Sequence, residues 1–204
     1  MRVIAGSAGG IRLAVPKRGV RPTMDRVKAA IFSSLGDAVV GARVLDLFAG
    51  SGALGIEALS RGASSVVFVE KDRESVDIIA ANLTRTQLKG RVRQRDVFDF
   101  IRHTSGVELF DIIFADPPYE KTDAGEHFTE KLLIGESLSQ LLERDGIFVL
   151  EKRPAEALPE IDPWRVIRQK TYGATEVLFL SVMRGPSRFD TDKSPVHNPR
   201  SGIS

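Results

Sequence analysis

Asp116-Pro117-Pro118-Tyr119 is the stretch of this 204-residue chain best suited to grip a reacting group. Two successive prolines stiffen the loop and remove two backbone donors, so it offers acceptors. The Asp116 carboxylate and the Pro117 carbonyl can each accept one proton of an exocyclic amine. Tyr119 offers a flat face on which a base can stack, worth about 1–3 kcal/mol. Methylation of an aromatic amine needs this arrangement. The nitrogen lone pair is delocalised into the ring, and holding both N–H groups from fixed positions favours a pyramidal nitrogen whose lone pair meets an electrophilic methyl. Asp116 need not take a proton first, because the nitrogen becomes acidic only once alkylated. The plainer reading is a proline-rich turn capped by an aspartate.

A second constellation lies upstream. In Asp46-Leu47-Phe48-Ala49-Gly50-Ser51-Gly52-Ala53-Leu54-Gly55 the glycines match G-x-G-x-x-G, and Glu70 ends the next apolar run. Such a loop lets the backbone turn tightly beside a ligand, and the acid accepts hydrogen bonds from ribose hydroxyls. The pattern fits NAD as well as S-adenosylmethionine. Asp46 separates them: a carboxylate ahead of the loop repels a pyrophosphate but suits the ammonium and sulfonium of S-adenosylmethionine. Asp96 can accept from an adenine amino group, with the Val97 N–H as donor; alternatively it caps a helix starting at Val97.

Other chemistries are excluded. The chain has no cysteine, which removes disulfides, thiolate metal sites, Fe–S clusters and the covalent cysteine adduct used to methylate pyrimidine carbon five. His103, His127 and His197 lack metal-ligand spacing, read as surface or satisfied residues, and no metal is expected. No apolar run reaches the roughly 18 residues of a membrane span, and no signal-peptide core follows Met1-Arg2; the expected location is the cytoplasm. The net charge of +2 is uneven: residues 1–28 hold seven cations against Asp25, a local +6, leaving −4 for the rest. A basic segment beside an acidic body suits a polyanion.

These residues need a scaffold that brings strand ends together. Arg2–Ala5 and Ile11–Val15 alternate around Gly9-Gly10 as a short hairpin. Thr23 is placed to cap a helix carrying Val27, Ile31 and Leu35. From residue 42, strands at 44–48, 66–69, 92–95, 112–115 and 147–150 alternate with helices at 54–60, 73–83, 97–102 and 128–142. Such alternation predicts a parallel sheet covered on both faces. Strands at 165–170 and 176–183, joined by Tyr172-Gly173-Ala174, close it as an antiparallel hairpin. Trp164 reads as packing. The sequence from Gly185, rich in proline, serine and charge, reads as a disordered tail.

With those motifs in view, the chain resembles the RsmD-type ribosomal RNA guanine-N2 methyltransferases over residues 1–183. The resemblance rests on the glycine loop, Phe68-Val69-Glu70-Lys71-Asp72 and Asp116-Pro117-Pro118-Tyr119, joined by Arg2-Val3-Ile4-Ala5-Gly6 and Arg21-Pro22-Thr23-x-Asp25-Arg26-Val27. It implies a Rossmann-like class I S-adenosylmethionine-dependent fold: α/β, with a seven-stranded, mostly parallel sheet and an antiparallel C-terminal hairpin. It implies methylation of one guanine of 16S ribosomal RNA in an assembled or partly assembled small subunit. Asp46, Phe48, Gly50, Ser51, Gly52, Glu70, Lys71, Asp96 and Val97 would hold the cofactor, and Asp116, Pro117 and Tyr119 the target base. Arg2, Arg12, Arg21, Thr23 and Arg26 would meet RNA. The corresponding division is a basic extension at 1–36, a methyltransferase domain at 37–184 and a tail at 185–204, acting as a monomer. Ser7-Ala8-Gly9-Gly10 stands where the family often has a basic or bulky pair. Competing readings are a DNA adenine-N6 methyltransferase, an NAD-dependent oxidoreductase and a non-catalytic RNA-binding assembly protein.

Overall fold

The structure is a computed structural model that describes residues 1–16, 24–118, 127–154 and 156–183. The first helix, α1 (Met24–Leu35), buries the amphipathic stripe Val27, Ile31, Phe32 and Leu35. A 3-10 turn at Gly36–Val39 leads into β1 (Arg43–Leu47), followed by α2 (Ala53–Ser60), β2 (Ser65–Glu70) and α3 (Arg73–Thr86). Then come β3 (Arg91–Gln94), α4 (Val97–Thr104), β4 (Phe110–Ala115), α5 (Phe128–Ile134) and α6 (Glu136–Ser139). The last elements are β5 (Leu142–Lys152), β6 (Trp164–Tyr172) and β7 (Thr175–Val182).

The strands form one sheet in the order β3-β2-β1-β4-β5-β7-β6. β1 to β5 run parallel, while β7 is antiparallel to both β5 and β6. Winding proceeds outward from β1 in one direction to β3 and in the other to β4 and β5. The reversal between β1 and β4 opens a crevice at their carboxyl ends, where such sheets bind ligands. One face is covered by α1, α2 and α3 with Val3, Ala8 and Leu13 of the N-terminal residues. The other carries α4, α5 and α6 over Leu45, Leu47, Ile113 and Phe148. Trp164 is buried there against Phe148, with ring centroids 5.1 Å apart. Among the described residues no helix is long and apolar enough to cross a membrane.

Two elements differ from expectation. The N-terminal hairpin narrows to an antiparallel bridge between Arg2 and Arg12, flanked by backbone bonds from Val3 to Ile11 and from Leu13 to Met1. The reason is chemical: Ile4 and Ala5 donate their N–H groups to the Glu57 carboxylate at 2.7 and 3.1 Å. The helix expected over 128–142 is two short helices. Gly135 breaks it with extended backbone (ψ 118°), and Leu142 pairs with Phe110 as the start of β5. The expected cap Thr23 and the tail from Gly185 lie outside the described residues.

Candidate active site

Asp46 is the penultimate residue of β1 and is buried. Its carboxylate accepts the Gly55 N–H at 2.9 Å, in the first turn of α2. It thus caps the helix from outside, since the preceding Gly52 has no side chain to offer and turns through φ 75°. The third loop glycine is fixed by packing: a Cβ on Gly55 would lie 2.3 Å from the Phe68 ring on β2. Burial above all, opposed by the Gly55 hydrogen bond and aided by the negative charges of Asp116 and Glu70, raises the Asp46 pKa to about 8. The ends of β2 and β4 therefore each place a carboxylate whose charge repels that of Asp46 at the end of β1. A cation relieves that repulsion; a pyrophosphate adds to it.

Glu70 holds the loop itself. One oxygen accepts the Gly50 N–H at 2.8 Å and the other the Asp72 N–H at 2.9 Å. A carboxylate has roughly four lone-pair positions, so capacity remains for ligand hydroxyls. Asp96 caps α4, in line with the plainer reading: its Oδ1 accepts from Phe98 at 2.9 Å and Asp99 at 3.3 Å. Its Oδ2 has no partner among the described residues, so capping leaves an acceptor available. Val97 is buried behind it, and Lys71 is exposed beyond β2.

Asp116 directly follows β4 and is half-buried; Pro117 is buried and Pro118 exposed. Tyr119 lies outside the described residues. Phe48 leaves β1 with left-handed backbone (φ 55°) and joins Phe98 and Phe128, at centroid distances of 6.2 and 5.4 Å. Phe98 and Phe128 lie parallel at 6.1 Å, and the Lys131 ammonium sits 5.7 Å from the Phe98 centroid. These rings join the end of β1, the start of α4 and the start of α5, giving the crevice an aromatic side.

Sequence reasoning missed Asn82, Glu57 and Lys28, which tie this crevice to the N-terminal segment. Ser51 is buried, and its carbonyl accepts from the Asn82 amide at 2.9 Å. The same wholly buried amide donates to the Ala14 carbonyl at 2.9 Å and accepts the Ala14 N–H at 2.8 Å. Glu57 on α2 is likewise fully buried, ion-paired to Lys28 of α1 at 3.1 Å and to Arg61 at 2.7 Å. Burial pulls the Lys28 pKa down, and Glu57 opposes that. A signal existed for Glu57 and Asn82: each is a polar residue inside an apolar run, Ile56-Glu57-Ala58 and Ile79 to Leu83.

Of the expected RNA contacts, Arg2, Arg12 and Arg26 are exposed, whereas Arg21 and Thr23 lie outside the described residues. Backbone atoms anchor the first two: the Arg2 carbonyl accepts from Lys28 and the Arg12 carbonyl from Arg85. His103 and His127 are exposed, and His197 lies outside the described residues. The described residues contain no cluster of three or more potential metal ligands.

A doubly wound sheet of this strand order, with acids on β1, β2 and β4 and Asp-Pro-Pro leaving β4, defines a Rossmann-like class I methyltransferase. The chain belongs to the family described as Conserved hypothetical protein 95, which matches residues 1–181. Bacillus subtilis YlbH, whose name suggests an rRNA methyltransferase, is 41% identical over 87% of this chain and 96% of its own. Escherichia coli ribosomal RNA small subunit methyltransferase D is 33% identical over 85% of each chain. Among solved structures, a Thermus thermophilus protein superposes with a TM-score of 0.75 at 34% identity, covering 89% of this chain and 99% of that one. The Thermus thermophilus 16S rRNA N2 G1207 methyltransferase, in complex with AdoMet and guanosine, matches with a TM-score of 0.57 at 26% identity. That match covers 82% of this chain and 44% of the other.

Proposed function

We propose that this chain transfers the methyl group of S-adenosylmethionine to the exocyclic N2 amine of a guanine in 16S ribosomal RNA of the small subunit. The observation that carries the reading is the electrostatic convergence of Asp46, Glu70 and Asp116 on one crevice. Three acids suit a cofactor bearing an ammonium and a sulfonium, and they disfavour NAD, whose pyrophosphate would add like charge. The cofactor supplies an electrophilic methyl group. In this reading Asp46, Gly50, Ser51 and Gly52 hold its amino-acid end, with Phe48 beside them. Glu70 holds the ribose with Lys71 alongside, and Asp96 with the Val97 N–H holds the adenine.

The protein's remaining work is on the acceptor. Asp116 and the Pro117 carbonyl accept the two amine protons, which orients the nitrogen and resists its delocalisation into the ring. Tyr119 stacks on the base. After transfer, Asp116 is the nearest acceptor for the proton the alkylated nitrogen must shed. An extruded base can reach such a pocket once it leaves its stack, while Arg2, Arg12, Arg21, Thr23 and Arg26 hold flanking RNA. The names of the relatives support rRNA as the acceptor, and the chain is taken to act as a monomer.

Methyl transfer from labelled cofactor to unmethylated small subunits, free 16S rRNA and duplex DNA tests the reading. It requires labelling of RNA and none of DNA. Label in DNA adenine would move the same chemistry to another substrate. Cofactor binding without turnover on any acceptor would leave a binding protein.

A further inference from the structure

The charge of the body is itself uneven. Residues 85–95 hold five cations, Arg85, Lys89, Arg91, Arg93 and Arg95, and no acid. With +6 in residues 1–28 and +5 here, a total of +2 leaves −9 for the remainder. All five side chains are exposed. Arg91 is paired with Glu108; among the described residues the other four have no acidic partner.

The fold turns this run into a surface. Arg85 is in the last turn of α3, Lys89 in the following loop, and Arg91 and Arg93 on β3, the outermost strand on its side of the sheet. Alternation puts Arg91 and Arg93 on one face of β3, about 6.6 Å apart, while Val92 packs against the core on the other. Arg95 follows the strand and its N–H is fixed on the Glu70 carbonyl at 3.0 Å, next to Asp96 at the crevice. At the other end, Arg85 donates to the Arg12 carbonyl at 3.1 Å. The run therefore leads from the Arg12 backbone to the carboxyl edge of the sheet, and the one acid paired with it is Glu108, on Arg91.

We propose that this flank binds the phosphate backbone of the substrate RNA away from the target nucleotide, with Arg93 and Arg95 as its principal contacts. The proposal rests on RNA being the acceptor, as argued above. Charge complementarity selects the occupant: cations of residues 85–95 that lack an acidic partner, beside a basic N-terminal segment, favour a polyanion over a neutral or basic partner. A guanidinium's planar fork can donate to two phosphate oxygens at once, so less side-chain freedom is lost per hydrogen bond formed.

The experiment compares the full chain with R93Q/R95Q and with R93K/R95K. It measures binding to free 16S rRNA and to small subunits across a salt series, and methyl transfer separately. Each phosphate contact contributes about 0.7–0.9 to the slope of log affinity against log salt. R93Q/R95Q should lower that slope by about 1.4–1.8 and weaken RNA binding about tenfold near physiological salt. The KM for RNA should rise while kcat and cofactor affinity hold, and R93K/R95K should recover the slope. An unchanged slope overturns the proposal, including when R93Q/R95Q self-associates, since the arginines would then only guard a strand edge. Weaker binding to subunits with unchanged binding to free rRNA also overturns it, in favour of a protein partner. Absence of methyl transfer to RNA by the unsubstituted chain would refute the functional reading instead, so the two failures are distinct.

Discussion

Asp116 and Asp46 carry the account at the residue scale, and they do different work. On the mechanism proposed above, replacing Asp116 with alanine removes the carboxylate that accepts from the substrate amine. Methyl transfer should fall about 10²–10³-fold, while cofactor affinity, to which Asp116 lends only its charge, falls far less, as read by single-turnover transfer and by titration calorimetry. Asp46 predicts a pH dependence. Its pKa is raised to about 8, chiefly by burial, so below that pH the chain alone holds it protonated. An ammonium binds best to the ionised form, so cofactor affinity should climb as pH rises toward 8. It should then fall as the ligand's own amine, ordinarily near 7.7–8.0, loses its proton. D46N should flatten the rising limb. Linkage fixes a second sign: between about pH 4 and 8 the folded chain keeps a proton that the unfolded chain has released. This group's contribution to stability therefore declines as pH rises through that window, and melting curves of the chain and of D46N at pH 5 and 8 check it.

Elements are joined by buried polar side chains. Asn82 holds α3, the glycine loop and residue 14 through three hydrogen bonds. Asn82→Leu strands buried donors and acceptors and should cost about 2–4 kcal/mol. That is a fall in Tm of roughly 4–16 °C for a chain of this size, with a raised KM for the cofactor because Ser51 loses its anchor. Glu57→Gln leaves the Lys28 ammonium buried without its counter-charge and should cost about 3–5 kcal/mol. Adding Lys28→Met to Glu57→Gln removes the stranded ammonium while an amide oxygen still faces the Ile4 and Ala5 donors, so the double variant should be more stable than Glu57→Gln alone. The strands and most helices were legible because each shows its period locally: Val44 to Leu47 as a buried run, Val27-Ile31-Leu35 as a stripe. The narrowing of the N-terminal hairpin to one bridge and the break in the helix expected over 128–142 were not. Glu57 captures the Ile4 and Ala5 donors from 52 or 53 residues away, and Leu142 is recruited to a strand by Phe110; neither partner is visible in a local window.

The whole molecule reads as a rigid sheet edge with a basic segment bound to it. The glycine loop, Glu70 and Asp116 could be placed from sequence because strand ends in this topology fall on one edge. What spacing could not reveal was that Asp46 also caps a helix, or that Arg85 to Arg95 form an exposed flank. The first depends on how the loop folds back onto β1, the second on which strand lies outermost. A ligand held by this edge should stabilise the fold as a unit. At a hundred times its dissociation constant, S-adenosylmethionine or its demethylated product should add about 2.7 kcal/mol. That is a rise in Tm of roughly 5–11 °C, which NAD should not reproduce in the same thermal-shift assay.

The most direct measurement is nucleoside mass spectrometry of 16S rRNA from unmethylated small subunits incubated with the chain and labelled S-adenosylmethionine, with Asp116→Ala alongside. The account predicts labelled N2-methylguanosine from the unsubstituted chain and only a trace from the variant. Label in any other nucleoside, or equal yields from both proteins, would contradict it.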